Sequence, residues 1–119
     1  MTRSILITDD SRLARKMVRK ALPPGDYAIR EAEGGQECLD LYQEARADLL
    51  LLDLTMPGMD GIETLERLRA IDPQAKVVVV TADVQPKVRQ RALELGALAV
   101  LSKPPVAADL QDLWDRLGL

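Results

Sequence analysis

Short apolar runs alternate with segments of helical period along the chain. RSILIT (3–8), YAIREA (27–32), DLLLL (48–52), KVVVV (76–80) and LAVL (98–101) read as strands. The last three are continuous apolar runs, as expected of strands buried on both faces. YAIREA alternates and is expected at or near an edge. Helical periods fill the gaps. Over 11–22, Leu13, Met17, Val18 and Ala21 form one stripe, and Pro23-Pro24-Gly25 stops the helix. Over 35–46 the inward residues are Cys38, Leu39, Leu41 and Tyr42, and over 61–70 they are Ile62, Leu65 and Leu68. Over 84–95 they are Val84, Val88, Ala92 and Leu95, with Gly96 as the cap beyond the end. Over 106–118 they are Val106, Leu110, Leu113 and Leu117. Five strands alternating with five helices predict an α/β fold, a (βα)5 doubly wound five-stranded parallel sheet covered on both faces.

No linker or repeat divides the 119 residues, so the chain reads as one domain, 1–119. A chain of this size buries roughly two-thirds of its unfolded surface and needs no staples. A net charge of −3 argues against sequence-independent nucleic-acid binding. No apolar run approaches the roughly 20 residues of a membrane helix, so no membrane insertion is expected. The single Cys38 fits a reducing, cytoplasmic compartment. There is no histidine, which removes histidine triads and histidine-ligated zinc.

In a doubly wound sheet, ligands bind beyond the carboxyl ends of the strands, where the strand order reverses. Asp9 and Asp10 follow the first strand, Asp53 the third, Thr81 ends the fourth, and Ser102-Lys103-Pro104 follows the fifth. The second strand offers only Glu31 and Glu33 before Gly34-Gly35. Each residue taken singly has an ordinary reading. Asp9 or Asp10 could cap a helix, Asp53 could make an Asx-turn into Pro57-Gly58, Thr81 could cap the fourth helix, and Lys103 could be a surface lysine. Taken together they place three carboxylates, a hydroxyl and an ammonium on one rim. Oxygen ligands with this much negative charge suit Mg²⁺. A carboxylate can accept a phosphoryl group as an acyl phosphate, and charge on the phosphoryl oxygens is met by cations and donors. Mg²⁺ on Asp10 and Asp53, the Lys103 ammonium and the Thr81 hydroxyl would supply them.

With those residues in place, the chain resembles the receiver domains of bacterial two-component response regulators, particularly the stand-alone chemotaxis type. The matching stretches are ITDDSRLARKMVRKAL (7–22), LLLLDLTMPGMDG (49–61), VVVVTAD (77–83) and LGALAVLSKPP (95–105). The resemblance implies that Asp53 is the phosphoacceptor and that Asp10 and Asp53 bind Mg²⁺. It adds the Thr55 backbone carbonyl as a ligand and Asp9 nearby through water. It implies that Thr81 is the switch hydroxyl, that Lys103 binds the phosphoryl group, and that Lys103-Pro104 is cis. The phosphoryl group would come from a histidine on a sensor histidine kinase or histidine phosphotransfer domain, and a downstream protein of unknown identity would read the result. Acceptance from small donors and autodephosphorylation are also expected, without enzymatic turnover.

Three departures stand out. Val100 occupies the place where receivers usually carry Tyr or Phe, the chain has no Phe, and Pro105 follows Pro104 where Phe is common. Thr55 and Asp83 occupy the positions expected to tune phosphoryl lifetime. On the first helix, Arg12, Arg15, Lys16, Arg19 and Lys20 lie opposite the apolar stripe, either as a solvated face or as a docking surface for an acidic partner. Trp114 and Tyr42 are expected at the core edge. A start at Met1 and an end just past the last helix fit a stand-alone protein or a receiver excised from a longer regulator. An aspartyl-phosphate phosphatase, a flavodoxin-like nucleotide binder and a receiver used only as a scaffold are the remaining alternatives.

Overall fold

The computed structural model describes residues 2–83 and 85–119, and Val84, expected to face inward on the fourth helix, lies outside them. The elements alternate as expected: β1 (Arg3–Thr8), α1 (Arg12–Ala21), β2 (Tyr27–Ala32), α2 (Gly35–Glu44), β3 (Leu49–Leu52), α3 (Gly61–Ile71), β4 (Val77–Thr81), α4 (Pro86–Glu94), β5 (Ala99–Ser102) and α5 (Ala107–Leu117). All neighbouring strands pair in parallel, in the order β2-β1-β3-β4-β5. This is the doubly wound order of flavodoxin-like sheets, with its reversal between β1 and β3. The alternating β2 is at an edge, as its pattern implied. β5 forms the other edge, so its apolar run is only half-buried and Ser102 is exposed.

Strand alternation divides the core in two. Ile5, Ile7, Leu49, Leu51, Val78 and Val80 pack with Val18 of α1 and with Leu110, Leu113 and Trp114 of α5. Leu6, Leu50, Leu52, Val77 and Val79 face α2, α3 and Ala92 of α4. Each fully buried Leu or Val contributes about 1.5–3 kcal/mol, so the three inner strands, β1, β3 and β4, anchor the rim rigidly. Tyr42 and Trp114 are both buried, and the Tyr42 hydroxyl donates to Asp72 Oδ2 at 2.6 Å. At the end of the sheet away from the rim, Arg69 of α3 donates to the carbonyls of Leu95, Ala75 and Gly96 at 2.6, 2.6 and 2.8 Å. No helix among the described residues is long and apolar enough to cross a membrane.

Two helices depart from the expected stripes. On α1, Val18 and Ala21 are buried, but Leu13 is 68% and Met17 39% exposed. At 100° per residue these two lie roughly 100–140° around the helix from Val18, so they face solvent. Arg15, expected on the solvated basic face, falls instead on the Val18 side and is 6% exposed. On α5, Val106 is the N-cap rather than a core residue and is 54% exposed.

Candidate functional site

The ladder of the sheet carries each site residue to the rim. Asp9 N–H donates to the Ala32 carbonyl at 3.1 Å, Asp53 N–H to Thr8 at 3.0 Å, and Lys103 N–H to Thr81 at 3.0 Å. Each residue just beyond a strand therefore keeps one backbone bond to the neighbouring strand and inherits its position from it.

The turn after β3 is shaped by glycine. Gly58 has φ +74°, a left-handed conformation that disfavours a side chain. Gly61 N–H donates to the Leu54 carbonyl at 3.0 Å, and a Cβ on Gly61 would stand 2.3 Å from the Asp53 carbonyl oxygen. Only glycine lets α3 begin this close to the Asp53 backbone. The helix is then capped by Asp60, whose carboxylate accepts from Glu63 N–H at 2.8 Å.

The rim side chains converge. Lys103 Nζ lies 2.6 Å from Asp9 Oδ2 and 3.3 Å from Asp53 Oδ1. Asp9 Oδ1 accepts from Ser11 N–H at 2.9 Å. Neither acid of the pair caps α1, because that role belongs to Ser11, whose hydroxyl accepts from Ala14 N–H. Asp9 and Asp53 are buried, whereas Asp10 is exposed. Thr81 is fully buried at the end of β4, and its hydroxyl accepts from Asp83 N–H at 3.1 Å. It does not cap α4, where Gln85 is the N-cap. Thr55 is exposed in the turn. The Lys103-Pro104 bond is cis.

Charge and burial compete here. Burial raises the Asp53 carboxyl above its ordinary pKa, and the Asp9 charge pushes the same way. Lys103 and the Thr55 backbone N–H oppose them without prevailing. Burial alone would depress the Lys103 ammonium, but its hydrogen bond to Asp9 and the charges of Asp53 and Asp9 hold it above the usual lysine value. The lysine is thus a permanent cation facing two buried acids.

The donor set fits a hard divalent ion. Asp9, Asp10 and Asp53 each bring a carboxylate oxygen within 4.8 Å of the others. Buried Asp53 Oδ1 has no hydrogen-bond partner; the ammonium at 3.3 Å is its charge partner only. An unsatisfied buried oxygen in an all-oxygen anionic cluster suits Mg²⁺, which takes one or two carboxylates and keeps several waters.

Sequence reasoning missed part of this arrangement. Glu31 is more than an acid before the Gly34-Gly35 turn: it accepts from Arg15 Nε at 2.6 Å and from Arg19 Nε at 2.7 Å. Arg15 Nη1 in turn donates to the Asp9 carbonyl at 2.7 Å. Arg15 shares a helical face with Val18, three residues on, but the sequence alone does not say that this face of α1 is the buried one.

Comparison with known proteins bears on the family and the fold. Residues 5–115 match the family model of the response regulator receiver domain. The chain is 37% identical over 112 residues to sporulation initiation phosphotransferase F of Bacillus subtilis, covering 94% of this chain and 90% of that one. It is 38% identical over 101 residues to chemotaxis protein CheY of Listeria monocytogenes, covering 84% and 85%. Among solved structures, the CheX-CheY-BeF3-Mg²⁺ complex of Borrelia burgdorferi superposes with a TM-score of 0.88 at 28% identity, covering 97% and 89%.

Proposed function

The chain belongs to the family of response regulator receiver domains, and on that premise we propose that Asp53 is the carboxylate that takes the phosphoryl group. Receivers are phosphoacceptors of two-component signalling, and the role of this one is to switch rather than to turn over a substrate. Neither a phosphatase nor a flavodoxin-type nucleotide binder is favoured by its relatives. The observation that carries the assignment is the buried Asp53 carboxylate, with one oxygen lacking a hydrogen bond and a lysine ammonium 3.3 Å away.

In the transfer, an Asp53 carboxylate oxygen attacks the phosphorus of a phosphohistidine on a sensor kinase or phosphotransfer protein. The P–N bond breaks, its electron pair returns to the imidazole nitrogen, and an acyl phosphate forms. Lys103 pairs with one phosphoryl oxygen as that charge arrives. Asp10, Asp53 and the Thr55 carbonyl would hold Mg²⁺, with Asp9 nearby through water. When bound, the ion neutralises phosphoryl charge. The Thr81 hydroxyl accepts from Asp83 N–H but keeps its own proton to donate, so it can turn to a phosphoryl oxygen and carry the change into β4. Val100 is half-buried against the α2–α4 side of the core, where receivers usually carry an aromatic ring.

The donor's approach is supported by the α1 surface. A shallow apolar groove of about 250 Å³ beside Lys103 is lined by Ala14, Met17, Val18, Pro104 and Pro105. Exposed Leu13 lines a neighbouring groove with the helix's basic residues Arg12, Lys16 and Arg19. An apolar helical face with an acidic rim would complement it. Buried, unpaired Cys38 fits a cytoplasmic setting.

The assignment is tested by incubation with acetyl phosphate, with Mg²⁺ or with a chelator, read by intact mass. One phosphoryl adduct is expected, only with Mg²⁺ and not in Asp53→Asn. An equal adduct in Asp53→Asn would overturn it.

A further inference from the structure

We propose that Arg15, anchored by Glu31, is a positioning residue that aims the Asp9–Asp10 pair at the metal. The proposal rests on the reading of Asp10 and Asp53 as Mg²⁺ ligands.

Burying a guanidinium costs several kcal/mol unless its donors are paired, and Arg15 is buried in the first half of a helix whose surface has ample room for cations. Its fork makes two short hydrogen bonds and one longer ion pair. Nε donates to Glu31 Oε1 at 2.6 Å, Nη1 donates to the Asp9 carbonyl at 2.7 Å, and Nη2 stands 3.7 Å from Glu33 Oε1. Glu31 is itself on β2, which pairs in register with β1 as Ile7↔Glu31 and Thr8↔Ala32. The guanidinium therefore links a strand edge to the backbone just beyond the adjacent strand.

The consequence falls on Asp10. Asp9 is held on four sides: its N–H by Ala32, its carbonyl by Arg15, and its carboxylate oxygens by Ser11 N–H and Lys103. A peptide unit is planar, so fixing the Asp9 carbonyl fixes the plane that carries the Asp10 nitrogen and Cα. The Asp10 carboxylate makes no hydrogen bond or ion pair among the described residues, so its aim comes from that backbone. Arg19 also pairs with Glu31, at 2.7 Å, but among the described residues it bonds to neither acid.

Lysine cannot replace the fork, because one ammonium on a flexible stem does not bridge two acceptors in fixed directions. The test is calorimetric titration with Mg²⁺ of wild type, Arg15→Lys, Glu31→Gln and Arg19→Gln, each shown to be folded by circular dichroism. Groups that orient metal ligands typically carry 10–100-fold in affinity. Arg15→Lys and Glu31→Gln are thus expected to weaken Mg²⁺ about tenfold or more, with Arg19→Gln within about twofold of wild type. The Mg²⁺ concentration for half-maximal phosphorylation should rise in parallel, while the rate at saturating Mg²⁺ stays near wild type. A purely structural role would not produce that split. If Arg15→Lys does not fold, Glu31→Gln carries the test. Folded variants that bind Mg²⁺ as wild type does would overturn the proposal alone; a wild type that binds no Mg²⁺ would overturn the site reading beneath it.

Discussion

A carboxylate buried as Asp53 is resists ionisation, since it gives up hydration and faces a second acid, Asp9. Lys103 offsets part of that cost, but its shorter contact is with Asp9 at 2.6 Å rather than with Asp53 at 3.3 Å. Asp53, the proposed phosphoacceptor, therefore carries a charge that burial disfavours and that a cation or phosphoryl transfer would relieve. Because its folded pKa is raised, the folded chain holds more protons than the unfolded one between the two values. Stability falls as pH rises through that window, and above it the penalty is complete. In chelator, Asp53→Asn should therefore melt a few degrees above wild type at neutral pH. The gap should close as pH drops below the raised folded value toward the ordinary carboxylate range. A mutant melting below wild type at neutral pH would show that the Lys103 pairing outweighs the burial cost.

β3 is only four residues long, yet all four leucines are buried, and the turn beyond it depends on the glycine that begins α3. With a Cβ 2.3 Å from the Asp53 carbonyl oxygen and 2.5 Å from Leu54 Cα, Gly61→Ala must push α3 away from the rim. Overpacking of this kind costs about 1–3 kcal/mol. We expect that loss in chemical denaturation, together with slower phosphorylation from acetyl phosphate; unchanged stability and rate would mean the turn is more compliant than its contacts imply. Such close approaches were not legible in the sequence, where Gly61 was only a helix start. The strands were legible because LLLL and VVVV have no polar face to hide. α1 was read less well because apolarity alone does not say which side of a helix is buried. Leu13 and Met17 are apolar but face outward, and Arg15 is charged but faces inward, its charge met by Glu31 and the Asp9 carbonyl.

At the scale of the whole molecule, the elements explain why four separate crossovers supply one site. The reversal of strand order between β1 and β3 opens a crevice at their carboxyl ends, and the acids stand at its mouth. That convergence was readable from the strand–helix alternation and from which residue comes after each strand. The cross-links that hold it were not, because bonds such as Arg15 to Asp9 or Tyr42 to Asp72 join segments whose facing angles only the packed structure fixes. Both core layers end at the same rim, so a charge added at Asp53 bears on β3, on β4 through Thr81 and on β5 through Lys103.

The switch stands or falls on which carboxylate takes the phosphoryl group. Acyl phosphates are reduced by borohydride, which converts a phosphorylated aspartate to homoserine and leaves a permanent mass change in its peptide. The chain should be phosphorylated in Mg²⁺, reduced and mapped by peptide mass spectrometry. Homoserine is expected at position 53 alone. Homoserine at position 9 or 10, with Asp53 unmodified, would contradict the assignment of Asp53 as the acceptor.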